Sequence, residues 1–81
     1  AYSPSSGVRL DCFTDLPGVQ FYTGNALDEP GGKGSCPLHK NQGFCLETQF
    51  FPDSPNQPSF PSPLLRAGER FVSVTEYRFS R

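Results

Sequence analysis

Glu47 is the residue whose type and surroundings point most directly to chemistry. It lies in the run GFCLETQ at residues 43–49, where apolar and polar side chains alternate. A strand here would place the Glu47 carboxylate and the Gln49 amide on one face, and Phe44 and Leu46 on the other. A carboxylate on the polar face of a strand is either solvated or available as a general base.

Alternation of apolar and polar residues predicts the strands that would hold this carboxylate, and it predicts no helix. Turns are expected at residues 15–18 and 66–69, where proline or glycine lets the chain reverse. Residues 24–42 contain glycines and prolines without periodicity, so they are predicted to form a long surface loop. The four predicted strands cover residues 8–13, 19–23, 44–49 and 70–79, of which the last is the longest.

Five prolines follow the Glu47 strand, from Pro52 to Pro63. Because proline donates no backbone hydrogen bond, this segment cannot lie inside a sheet, and a polyproline-like path along the surface is expected. Asn56 and Gln57 within it are interpreted as turn-forming residues rather than as a binding subsite.

Composition limits what a chain of 81 residues can build. Phenylalanine, with eight residues, carries most of the apolar mass, and isoleucine, methionine and tryptophan are absent. Four strands with so little to bury would form only a fragment of an antiparallel sandwich or barrel, so the missing strands are expected elsewhere. The net charge of −1 without a basic patch, and the lack of an apolar run of about 20 residues, argue against nucleic-acid and membrane partners.

The three cysteines, Cys12, Cys36 and Cys45, are odd in number and form no CxxC pair. A cytoplasmic protein with reduced thiols is therefore the preferred interpretation. The alternative is a zinc site made by the cysteines with His39, but the C-x2-H-x5-C spacing matches none of the usual ligand patterns. The start at Ala1, with no signal peptide behind it, is interpreted as a processed terminus or as part of a longer product.

Four blocks of the sequence, in this order, resemble the C-terminal part of aldose 1-epimerase, a family also called galactose mutarotase. The blocks are LPGVQFYTGN at 16–25, GFCLETQ at 43–49, the proline segment with PD, NQP and FP at 52–61, and LRAGE at 65–69. Members of this family are about four times longer than this chain and form one large antiparallel β-sandwich. The resemblance implies that residues 1–81 are the C-terminal segment of such a domain and are incomplete alone.

The resemblance also implies a reaction, the interconversion of the α and β anomers of free hexoses such as galactose and glucose. Glu47 matches the family's catalytic base, and Gln20 matches a glutamine whose amide orients the sugar. The acid would be a histidine upstream of this chain, and neither a cofactor nor a metal is expected. The partners implied are a small aldose and the upstream part of the same enzyme.

Each of these assignments has a simpler alternative. Glu47 and Gln20 could be solvated residues of strands, and Tyr22, which shares the face of Gln20, could stack on a sugar but is more simply explained by packing. His39 is not assigned as the acid, because it lies in the glycine-rich loop. Residues 40–42 separate His39 from the GFC block, whereas the family's histidine stands two or three residues before that block, so this loop departs from the family pattern.

Two other classes of function stay open at this point. A scaffold without the upstream histidines could bind a sugar through Gln20 and Glu47 without catalysis. Alternatively, a strand-rich piece could complete the sheet of another polypeptide through its edges.

Overall fold

Six strands make up the regular structure of the chain, which a computed structural model describes from Ala1 to Arg81. The predicted all-β class is confirmed, since the helical segments are two single 3₁₀ turns, Lys33–Ser35 and Ser54–Asn56. Neither turn has the length and apolar character that a membrane crossing by a helix requires. The strands are β1 (Arg9–Thr14), β2 (Gly18–Tyr22), β3 (Asp28–Glu29), β4 (Leu38–His39), β5 (Cys45–Gln49) and β6 (Thr75–Ser80).

These strands pair into three separate antiparallel ribbons of two strands each. We call β1 with β6 the terminal ribbon, β2 with β5 the central ribbon, and β3 with β4 the small ribbon. The bend at residues 15–17 carries the chain from the terminal to the central ribbon, and Leu16 N donates to Thr14 Oγ1 there at 3.1 Å. β1 and β2 follow each other across this bend, but they are not paired with each other.

The terminal ribbon has one charged face and one largely apolar face, as its alternation predicts. On the charged face Arg9 and Asp11 form an ion pair at 2.8 Å, and Arg78 pairs with Glu76. The hydrogen bond from Arg9 is the main reason that the pKa of Asp11 lies below its ordinary value. The guanidinium of Arg78 also lies 4.9 Å from the centre of the Phe13 ring, a cation–π distance.

No hydrophobic side chain of the chain is buried. The accessible surface is 6617 Å², whereas a compact monomer of this mass would expose about 4,800 Å². The radius of gyration is 16.7 Å, against about 12 Å for a compact domain of this length. Large apolar side chains such as Phe79, at 72% exposure, and Val72, at 67%, face solvent. The chain thus has strands and turns without the core that such strands normally enclose.

The last strand is shorter than predicted. β6 begins at Thr75 and has six residues, the same length as β1, while residues 70–74 form no strand. Within residues 70–74 only the backbone of Val74 forms hydrogen bonds: its carbonyl accepts from Asp15 N at 3.3 Å and its amide donates to Asp15 Oδ1 at 2.9 Å. The alternation in residues 70–74 is real, but a strand requires a neighbour and this chain supplies none.

Two irregular segments also differ from the sequence-based expectation. The loop at 24–42 contains the small ribbon and a 3₁₀ turn, elements too short to produce a detectable period. The polyproline path is wrong for the first part of the proline segment, where Asp53 adopts a left-handed φ of 61° before the turn Ser54–Asn56. Proline favours the first turn of a helix as much as an extended path, and here the turn prevails. The predicted turn at 66–69 is confirmed by the bond from Glu69 N to Arg66 O at 3.0 Å.

Candidate functional site

Gln20 and Glu47, the two residues singled out from the sequence, lie directly opposite each other in the central ribbon. The register of β2 and β5 pairs Gln20 with Glu47, between the neighbouring pairs Val19–Thr48 and Phe21–Leu46. Directly paired residues of an antiparallel ribbon project from the same face with Cβ atoms about 4.5–5.5 Å apart. The ribbon therefore brings a carboxylate and a primary amide together on one face.

The opposite face of the central ribbon is apolar, which explains why the polar side chains face away from it. The rings of Phe21 and Phe44 meet edge to face there, with centroids 6.1 Å apart. Leu46 shares that face with Phe21 through the strand register. This arrangement confirms the alternation on which the orientation of Glu47 was predicted.

The polar face has an aromatic side chain at each end. A Cβ atom added at Gly18 would lie 2.8 Å from the Phe51 ring, and positions 18 and 20 of a strand share a face. The Phe51 ring therefore covers the end of the face beyond Gln20, where only glycine allows so close an approach. At the other end the Tyr22 hydroxyl accepts from Ala26 N at 3.1 Å, which fixes the start of the loop.

The Glu47 carboxylate is free to react because no other group of the chain binds it. Glu47 is exposed and takes part in neither of the two ion pairs of the structure. The Gln20 amide makes a single long contact, 3.5 Å from its Nε2 to Phe21 O. Such a pair can accept a proton at the carboxylate and can both donate to and accept from a hydroxyl at the amide.

His39 lies apart from this pair, in the small ribbon. Its position in β4 is opposite Asp28, and its backbone amide donates to the Gln42 side chain at 2.8 Å. Nor does the zinc alternative find support, since no three His, Cys, Asp or Glu side chains are arranged to hold a metal ion. Cys12, Cys36 and Cys45 are free thiols.

Asn56 and Gln57 are turn residues, as the sequence predicted. Asn56 Nδ2 donates to Asp53 Oδ1 at 2.6 Å and Gln57 Nε2 donates to Asp53 Oδ2 at 2.9 Å. The first of these bonds, and then the second, hold the pKa of Asp53 below its ordinary value, because both stabilise the ionised carboxylate.

A titration can test this turn. We expect the Asp53 carboxyl to titrate below the ordinary aspartate range in a carbon-13 NMR experiment, and Asn56→Ala to raise its pKa. Because the folded pKa is lowered, the turn is stabilised above the pKa of the unfolded chain and loses that stabilisation as pH falls through the folded value. An unchanged Asp53 pKa in Asn56→Ala would show that the bond from Asn56 is not its cause.

Sequence reasoning missed the contacts between β6 and the Glu47 strand. Tyr77 Oη donates to Leu46 O at 2.8 Å, and the hydroxyls of Thr75 and Thr48 share a hydrogen bond of 2.6 Å. These residues are 27 to 31 positions apart along the chain, so no local pattern could have revealed them. Cys45 lies two residues before Glu47 in β5 and so shares its face.

Known proteins resemble this chain along nearly its whole length. A family model described as aldose 1-epimerase matches residues 1–78. Galactose mutarotase of Homo sapiens is 52% identical over 77 residues, which are 94% of this chain and 22% of that protein. Aldose 1-epimerase of Escherichia coli (strain K12) is 42% identical over 80 residues, 96% of this chain and 23% of that protein. The chain thus spans less than a quarter of the length of these curated relatives.

Proposed function

The chain belongs to the aldose 1-epimerase family, and we propose that it supplies the general base of an enzyme that interconverts the α and β anomers of free aldoses. Galactose and glucose are the substrates expected from the family. The observation that carries the proposal is the direct pairing of Gln20 with Glu47 on one face of the central ribbon. The names of the relatives give the reaction, and the paired side chains supply groups suited to it.

The proposed reaction begins with Glu47 removing the proton of the anomeric hydroxyl. As the anomeric oxygen becomes a carbonyl, the bond to the ring oxygen breaks and an acid protonates that oxygen. Rotation of the open-chain aldehyde exposes its other face, and the steps reverse with the proton returned from Glu47. Gln20, opposite Glu47, donates to or accepts from a sugar hydroxyl and orients the ring. No cofactor is required, because protons are the only groups transferred.

The acid and most of the sugar contacts must come from outside these residues. His39 is the only histidine, and it lies in the small ribbon, paired opposite Asp28 rather than beside Glu47. We propose that residues 1–81 form the C-terminal segment of one large β-sandwich, and that its remainder covers the apolar side chains exposed here. The three free cysteines fit a cytoplasmic setting, where thiols stay reduced.

One alternative rests on a specific observation, the open edges of the ribbons. Each ribbon has only two strands, so its outer edges present unpaired backbone groups that can recruit another chain. A non-catalytic module could complete a partner's sheet in this way, or it could bind a sugar without catalysing a reaction.

A chimera distinguishes the enzyme from the non-catalytic module. This chain would replace the segment of human galactose mutarotase that it matches, to which it is 52% identical over 77 residues. We expect this chimera to accelerate the change in optical rotation of freshly dissolved α-D-galactose or α-D-glucose well above the buffer rate, which is the rate without protein. A chimera that folds cooperatively but leaves the buffer rate unchanged would contradict the proposed function and favour the module.

A further inference from the structure

Two side chains of β6 hold the Glu47 strand on both sides of the base. The Tyr77 hydroxyl donates to the carbonyl of Leu46 at 2.8 Å, and this carbonyl belongs to the peptide group that joins Leu46 to Glu47. The Thr75 hydroxyl shares a 2.6 Å hydrogen bond with that of Thr48, the residue after Glu47. Thr75 and Tyr77 are two residues apart in one strand, so they share a face and match the spacing of Leu46 and Thr48.

The Thr75 hydroxyl is also linked, through Thr14, to the bend that leads into the strand of Gln20. Thr75 pairs with Thr14 across the terminal ribbon, and their hydroxyl oxygens are 3.5 Å apart. Thr14 Oγ1 accepts from Leu16 N at 3.1 Å, in the bend that leads into β2. Thr75 is half-buried, whereas the other five residues of β6 are exposed, so solvent competes less for its hydrogen bonds. One hydroxyl network therefore approaches both strands of the site.

Restraint of these two strands matters because a general base works only over a narrow range of distances and angles to the proton that it removes. β5 has a strand partner on one edge alone, β2, and Glu47 itself has no ion pair. A misplacement of about 1 Å in a reacting group can cost about 10²-fold in rate. Contacts at both neighbours of Glu47 restrain its backbone without touching the carboxylate.

We propose that Thr75 and Tyr77 are positioning residues for Glu47, an inference that rests on the proposed role of Glu47 as the base. They act from the apolar side of the central ribbon and do not contact the sugar. The Tyr77 hydroxyl holds the peptide group before Glu47, and the Thr75 hydroxyl holds the side chain of Thr48 after it. The Glu47 carboxylate then meets the anomeric hydroxyl at a productive distance. The role predicts an effect on kcat rather than on sugar binding.

Tyr77→Phe and Thr75→Val, made in the chimera, test the inference because each removes one hydroxyl and keeps the shape of the side chain. We expect each to lower kcat by about tenfold while KM changes by less than twofold. Thr75→Ser, which restores the hydroxyl, should recover most of the lost kcat. Tyr2→Phe is the matched control, since Tyr2 is 65% exposed. It should leave kcat unchanged.

A double-mutant cycle with Glu47→Gln separates positioning from general stabilisation. If Tyr77 acts through Glu47, adding Tyr77→Phe to Glu47→Gln should change kcat by less than twofold. If Tyr77→Phe lowers kcat by the same factor in both backgrounds, or if kcat is unchanged while only the melting temperature falls, the positioning role is overturned. Those results leave the proposed function intact, whereas a Glu47→Gln chimera with half the original kcat would overturn the proposed function itself.

Discussion

Glu47→Gln should lower the turnover of the chimera by about 10²–10⁴-fold, the usual contribution of one positioned general base. Glutamine has nearly the same shape as glutamate, but its side chain cannot take up the proton of the anomeric hydroxyl. Glu47 faces solvent and makes no ion pair in the chain, so the substitution should leave the fold and the melting temperature unchanged. Polarimetry on freshly dissolved α-D-galactose measures the loss.

Glu29→Gln provides the matched control for this substitution. Glu29 is an exposed glutamate at the end of the two-residue strand β3, in the small ribbon and away from β5. It undergoes the same chemical change, yet it should keep the original rate. If Glu47→Gln keeps half of the rate, or if Glu29→Gln loses as much as Glu47→Gln, Glu47 is not the base.

The isolated chain should show no catalysis above the buffer rate, and it should associate in solution. Catalysis fails because the acid is missing: the only histidine, His39, lies opposite Asp28 rather than beside Glu47. Association follows from the absence of any buried hydrophobic side chain and from three ribbons of two strands with open edges. Two-stranded ribbons without a covered apolar face are marginally stable in water and recruit further strands.

Size-exclusion chromatography with light scattering, followed by a thermal melt, tests the state of the isolated chain. Soluble oligomers or a broad, non-cooperative melt are the expected results. A monomer that melts in one cooperative transition would show that the chain closes its own core. That outcome would contradict the proposal that residues 1–81 are a segment of a larger sandwich.

The face on which Glu47 lies could be predicted from sequence, because alternation with period two is a local property. Phe44, Leu46 and Thr48 alternate with polar neighbours, and the register of β5 with β2 confirms the two faces. That Gln20 is the partner of Glu47 could not be derived from alternation. Pairing depends on which strands meet, and β2 skips two intervening strands to join β5. Only the family resemblance associated the two residues beforehand.

Other parts of the fold could not be predicted from the sequence, for related physical reasons. Residues 70–74 alternate as a strand does, but pairing needs a neighbour that this chain does not contain. The turn at Asp53 depends on side-chain bonds from Asn56 and Gln57, which favour a left-handed residue over the extended path typical of proline-rich sequence. The link from Tyr77 to Leu46 joins residues 31 apart, beyond the reach of any local pattern.

The most direct test of the proposed base combines this chain with the remainder of human galactose mutarotase, supplied as a separate polypeptide. The two would be co-expressed and purified together, and the optical rotation of fresh α-D-galactose would be followed with each piece alone and with both. We predict the buffer rate for each piece, acceleration for the pair, and loss of that acceleration when the chain carries Glu47→Gln. A pair that stays at the buffer rate, or one equally active with Glu47→Gln, would contradict the claim that this chain supplies the base of a site completed by the rest of the family fold.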